Sequence, residues 1–132
     1  MSIHLGRLKK VELRDFFKDE ARDFTPWLAQ EENLELLGET LGIDIELEDT
    51  EVRIGKFSAD IVGLDRSSNR TIIIENQLEK TNHDHLGKII TYGGGKDAGI
   101  VIWICKKIQQ EHRKGLDYLN DISTEDYSFF GI

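Results

Sequence analysis

The 132 residues suffice for one domain around a single hydrophobic core and are too few for two ordinary ones. With 39% hydrophobic and 32% charged residues the chain can bury a core, which excludes an intrinsically disordered chain. A net charge of −8 and a pI near 5.0 repel phosphate backbones at long range, so nucleic-acid binding needs a bound divalent cation, local basic clusters or a partner chain.

Residues 1–24 are charged, with Leu8, Val11, Leu13, Phe16 and Phe17 irregularly spaced, and they read as an arm or strand that packs on something. Residues 25–132 read as the single domain. Thr25 as N-cap and Pro26 at the first helical position open a helix in which Trp27, Leu28, Leu34, Leu37 and Leu41 recur at helical spacing, and Gly42 ends it. From Ile43 to Ile54, the alternation of Ile43, Ile45 and Leu47 with Asp44, Glu46 and Glu48 predicts a half-exposed strand. Residues Phe57 to Leu64 are apolar at nearly every position except Ser58 and Asp60, which predicts a strand buried on both faces with Asp60 as its odd residue.

A polar turn from Asp65 to Asn69 leads into TIIIENQ, apolar until Glu75, Asn76 and Gln77. A helix starts near Asn82 or Asp84 and runs to Tyr92, where Gly93, Gly94 and Gly95 stop it. The run AGIVIWIC reads as a central strand that buries the single Cys105 and leaves no internal disulfide. Gln109 to Asn120 forms a surface helix with His112, Gly115, Leu116 and Leu119 on one face, and YSFFGI begins another strand. A chain that stops there reads as the N-terminal part of a longer protein. The order αβββαβ, followed by a helix, predicts an α/β fold with a mixed central sheet flanked by helices. No run approaches the roughly 18 apolar residues of a membrane helix, so a cytoplasmic protein is expected.

Side chains two apart on a strand point the same way, so Glu75 and Gln77 share one face and Ile74 and Asn76 the other. If the strand of Asp60 pairs with that of Glu75 through the polar turn, two carboxylates meet in apolar surroundings and repel each other. A hard cation such as Mg²⁺ or Mn²⁺ relieves the repulsion and suits phosphodiester hydrolysis. The alternative is a strand Asp bonded to a turn and a Glu-x-Gln that is only the polar exit from a sheet. His83, Asp84 and His85 are zinc-ligand types, but helix neighbours diverge; Asp84 reads as an N-cap and His85 as a contact to substrate or behind the metal ligands. Arg7, Lys9, Lys10, Lys106, Lys107, Arg113 and Lys114 are either local basic patches or solvated surface.

The segments FSADIV, IIIENQ and HLGKIITYGGG resemble the pattern of the PD-(D/E)xK (restriction-endonuclease-like) nucleases, an Asp in one strand, (D/E)xK in the next, then a helix. FTPWL, LGI, IENQ, DHLGK, TYGGG, VIWI, EHR, LN and FFG, in this order over residues 24–132, resemble still more closely an uncharacterised prokaryotic branch of that superfamily. The resemblance implies a restriction-endonuclease-like core and puts Asp60 and Glu75 at the metal, Gln77 in the place of the Lys, and Glu39 on the first helix as an accessory metal acid. It also implies that Lys88 substitutes for the missing cation, with Tyr92 one helical turn on as a substrate contact. Lys88 and Tyr92 read equally as a surface Lys over a core-edge Tyr, and Glu39 as a solvated acid. The expected activity is a Mg²⁺-dependent nuclease acting on DNA, in which Gln77 orients the attacking water and a homodimer would suit double-strand cutting. The alternatives are a nuclease-fold binding or assembly module without catalysis, and a purely structural domain.

Overall fold

Two tight turns between apolar runs fold the middle of the chain into an antiparallel meander of β1 (Ile45–Ile54), β2 (Phe57–Asp65) and β3 (Arg70–Lys80). The computed structural model describes residues 23–132; the arm expected at the N-terminus, including Arg7, Lys9 and Lys10, lies outside them except for Asp23 and Phe24. Ahead of the meander stand α1 (Thr25–Leu28) and α2 (Glu31–Leu41). After it come α3 (His83–Lys96), β4 (Ile100–Lys107), α4 (Gln110–Ile122) and β5 (Ser128–Gly131). The sheet order is β1-β2-β3-β4-β5, and β4 and β5 add in parallel because α3 and α4 carry the chain back across the sheet.

Apolar residues divide between the two faces of this sheet. On one, Phe24, Leu28, Leu34 and Leu37 pack over Ile61, Ile72, Ile74, Ile100 and Ile102. On the other, Ile89, Tyr92 and Leu116 cover Val62, Ile73, Val101, Trp103 and Cys105. Burial pushes the Cys105 thiol up to about 11, so it is a neutral core side chain at pH 7.

Four expectations change. The first helix is two pieces: α1 is capped by Phe24, with Thr25 inside it, and α2 restarts after Gln30, whose backbone is extended. Along β1 the pairing slips at a bulge that leaves Glu48 between the paired residues Leu47 and Asp49. Leu47, just before the bulge, is 40% exposed, while Val52 and Ile54 pack on the core beneath α3. β2 is fully buried only in its middle, since Phe57 is exposed and Ser58 half-buried. Finally, α3 runs through Gly93, Gly94 and Gly95 to Lys96 and is capped by Asp97 in the left-handed conformation. Those glycines allow close packing: a Cβ at position 95 would lie 2.5 Å from Cγ2 of Ile54, and one at 93 would lie 3.1 Å from Cγ2 of Val101. Each glycine weakens a helix by about 1 kcal/mol, and at positions 93 and 95 contact with the sheet offsets it.

Asp65 locks the β2–β3 turn. Its Oδ1 accepts from the Asp44 and Ser67 amides and the Ser67 hydroxyl, and its Oδ2 accepts from the Ser68 hydroxyl at 2.6 Å. Burial opposes ionisation, but the hydrogen bonds from Ser68, Asp44 and Ser67 outweigh it and hold the carboxyl at about 2 against an ordinary 3.8. A depressed carboxyl stabilises the fold above its unfolded pKa and stops doing so as pH falls through the folded one. Asp65→Asn is expected to lose about 2 kcal/mol at pH 7, with the gap closing between about pH 4 and pH 2 in urea unfolding.

Candidate functional site

β2 and β3 are in register from Asp65–Arg70 to Ile61–Ile74, and one step further brings Asp60 beside Glu75. There the side chains replace the ladder. Asp60 Oδ2 accepts the Asn76 backbone N–H at 2.7 Å, and Glu75 Oε2 lies 3.4 Å from the Asp60 backbone N–H that donates to it. Each carboxylate holds the backbone of the other's strand, so the acids converge where β2 and β3 part. Glu75 is 4% exposed, whereas Asp60 is half-buried.

The neighbours of Glu75 alternate as its strand requires. Asn76 turns to the α1 face, where its Nδ2 donates to Thr25 Oγ1 at 2.9 Å; this draws the Thr25 hydroxyl into the core. Gln77 turns to the Glu75 face and is 1% exposed. Its Oε1 accepts from Trp103 Nε1 at 3.0 Å and its Nε2 donates to the Lys80 carbonyl at 2.9 Å. Gln77 is thus tied into the scaffold at both ends of its amide, with one N–H left for anything else.

Tyr92 closes the site from α3. It is 3% exposed, and its ring centroid lies 6.4 Å from that of Phe57. Burial raises its hydroxyl pKa first, the carboxylates of Glu75, Asp60 and Asp84 add to the rise, and a hydrogen bond with the Ser58 backbone works the other way. Tyr92 therefore sits within the field of both acids as a neutral phenol. In front of it opens a cleft of ≈ 270 Å³ whose walls include Phe57, His83, Asp84 and Lys88. Lys88 reaches Asp84, Nζ to Oδ2 3.5 Å, across one turn of α3.

Two carboxylates, one deep and one at the surface, suit a hard divalent ion that takes its other ligands from water. A cation held by both would relieve the repulsion between two like charges gathered at one site. Among the described residues no group of three or more His, Cys, Asp or Glu is placed to hold a metal, so Glu39, exposed on α2, does not join Asp60 and Glu75. His85 serves the start of α3: Asn82, not Asp84, is the cap, and its Oδ1 accepts from the His85 N–H at 2.9 Å and lies 3.1 Å from His85 Nδ1. The histidine that lines the cleft is His83. It meets the buried His112 of α4, Nδ1 to Nε2 2.8 Å. His112 stood out in the sequence as a polar residue on the apolar face of α4; nothing in the spacing announced its partner.

No family model matches the chain, and no curated protein matches it. Two solved structures share its fold. One is a repair endonuclease from Pyrococcus abyssi, with a TM-score of 0.58 and 12% identity. The other is the EndoMS–dsDNA2 complex, with a TM-score of 0.54 and 16% identity. Each alignment covers 75% of this chain and 42% of the other, so the chain spans less than half the length of either. The fold is restriction-endonuclease-like, a five-stranded mixed sheet between helices. No helix among the described residues is long and apolar enough to cross a membrane.

The bond from Trp103 to Gln77 gives a testable consequence. Gln77→Leu leaves a buried indole N–H without an acceptor and is expected to destabilise the fold by about 1–3 kcal/mol. In a double-mutant cycle with Trp103→Phe, chemical denaturation is expected to show the pair losing less than the sum of the single changes.

Proposed function

We propose that this chain is a metal-dependent phosphodiester hydrolase acting on DNA, with Asp60 and Glu75 as the ligands of Mg²⁺ or Mn²⁺. One observation carries this: the reciprocal clasp that brings both carboxylates together where β2 and β3 separate. The fold supports it, since one structure sharing it is a repair endonuclease and the other holds dsDNA. When bound, the ion would set positive charge against the phosphate and make a nearby water more acidic.

The chain's own groups do the rest. The Asn76 and Asp60 amides hold the two carboxylates with little freedom, so the ligands are oriented before anything binds. Tyr92, buried beside Phe57, sets an apolar wall within the field of both acids. Lys88, on the cleft wall, brings the cation that Gln77 cannot supply and is positioned to meet a backbone phosphate. Gln77 itself serves by fixing Trp103 and the end of β3 under Glu75.

One feature favours a second reading, a nuclease-fold module that binds without cutting: the position where the related pattern carries Lys is filled by an amide already engaged at both ends. Cleavage assays decide between them. Plasmid, linear and single-stranded DNA are incubated with Mg²⁺ or Mn²⁺ and the wild type, Asp60→Asn or Glu75→Gln. A nuclease is expected to lose about a hundredfold or more in rate in either variant, and to lose Mn²⁺ heat in calorimetry alongside. DNA binding with no cutting by any form would establish the module, and cutting that persists equally in both variants would remove Asp60 and Glu75 from the chemistry.

A further inference from the structure

A chain of hydrogen bonds runs from the body of the protein to the wall of the cleft and plays no part in the metal chemistry. It begins at the N-cap of α4, where the Gln109 backbone N–H donates to Thr81 Oγ1 at 2.9 Å. Gln109 Nε2 also donates to the Thr81 carbonyl at 2.6 Å, and the Thr81 N–H donates to the Lys107 carbonyl at 2.9 Å, so Thr81 is held from three sides. Thr81 Oγ1 is 2.7 Å from His112 Nδ1, and His112 Nε2 is 2.8 Å from His83 Nδ1. The rings of His112 and His83 stand edge to face with centroids 4.8 Å apart, and Trp103 packs on His112 at 5.6 Å. Thr81 is 0% and His112 4% exposed, whereas His83 is exposed and lines the cleft beside Lys88 and Tyr92.

One arrangement of the protons in the neutral chain satisfies every buried donor. Thr81 Oγ1 accepts the amide of Gln109, and its buried hydroxyl finds an acceptor when its proton goes to His112 Nδ1; His112 then carries its proton on Nε2 and gives it to His83 Nδ1. What remains is an N–H on Nε2 of His83, the ring nitrogen not held by His112. Keeping His112 neutral is what the site does: burial lowers its pKa first, His83 lowers it further, and only Glu111 acts the other way.

Resting on the nuclease reading, we propose that His83 is a substrate contact that donates its Nε2–H to a phosphate oxygen of the bound nucleic-acid backbone, and that His112 is the positioning residue that fixes its tautomer and direction. An imidazole N–H suits this place, since it adds a second donor beside Lys88 on the cleft wall. The contact reads no base, so single and double strands are recognised alike.

The test uses short fluorescein-labelled oligonucleotides, single- and double-stranded, with binding followed by anisotropy. The Asp60→Asn/Glu75→Gln background removes cutting and carboxylate repulsion together. In it, His83→Leu and His112→Leu are expected to weaken binding about tenfold, and His112→Gln, whose amide can still donate to His83, to recover most of the loss. In the wild type, imidazole nitrogen NMR is expected to show His83 as the Nε2–H tautomer and to shift its signal on oligonucleotide addition; His112→Leu mixes the tautomers. Unchanged affinity in His83→Leu overturns the contact, and this exposed position keeps the test sound even if His112→Leu folds poorly. Equal weakness of His112→Gln and His112→Leu overturns the positioning role. The two proposals separate cleanly: a wild type that never cuts DNA yet shows the histidine-dependent binding sinks the nuclease and keeps the contact, and the opposite pattern does the reverse.

Discussion

Two carboxylates gathered where two strands part must be held there by something other than their attraction to each other. Here the backbone does it: the amide of Asn76 faces the carboxylate of Asp60, and the amide of Asp60 faces that of Glu75. Charge-assisted bonds of this type are roughly twice as strong as neutral ones, and they exist only because β2 and β3 stop pairing at this point. The same residue ties the site to the opposite face, since Asn76 also engages Thr25 and with it the short first helix. The acids, the sheet and the helices on both sides therefore form one mechanical unit.

Much of this could be read in advance, for reasons specific to each segment. The pairing of Asp60 with Glu75 followed from a polar turn of fixed length between two apolar runs, because strand register is set by the turn and by which face is buried. The alternation at Ile74, Glu75, Asn76 and Gln77 held because β3 is covered on both faces and cannot slip. What could not be read depended on contacts far apart in sequence. Gly93 to Gly95 suggested a stop, since local propensity knows nothing of Ile54 and Val101 waiting beneath the helix. Leu47 looked like a core residue from its alternation with Ile45, yet it stays 40% exposed at the edge of the sheet beside the bulge. Thr25 looked like a cap, and the distant Asn76 claimed its hydroxyl instead.

The candidate site followed the same division. Residues joined through one hairpin were legible; those joined through tertiary packing were not. Glu39 is a plausible acid by type, yet α2 leaves it in solvent. His85 and His83 are two apart on one helix and differ in fate, because Asn82 takes the former and His112 the latter. Gln77 illustrates how a residue type underdetermines a role: an amide can face a water or serve as a strut, and the proximity of Trp103 selects the strut.

The bulge in β1 has an effect well beyond its own strand. Among the described residues β1 is the outer strand of the sheet, with only β2 beside it. An open strand offers unpaired amides to any other molecule, and flat, apolar borders are where proteins stick to one another. Here the irregularity at Glu48 interrupts the border, and exposed Glu46, Glu48, Asp49 and Glu51 line it with like charge. A protein of net charge −8 thereby concentrates part of its acidity where it discourages aggregation.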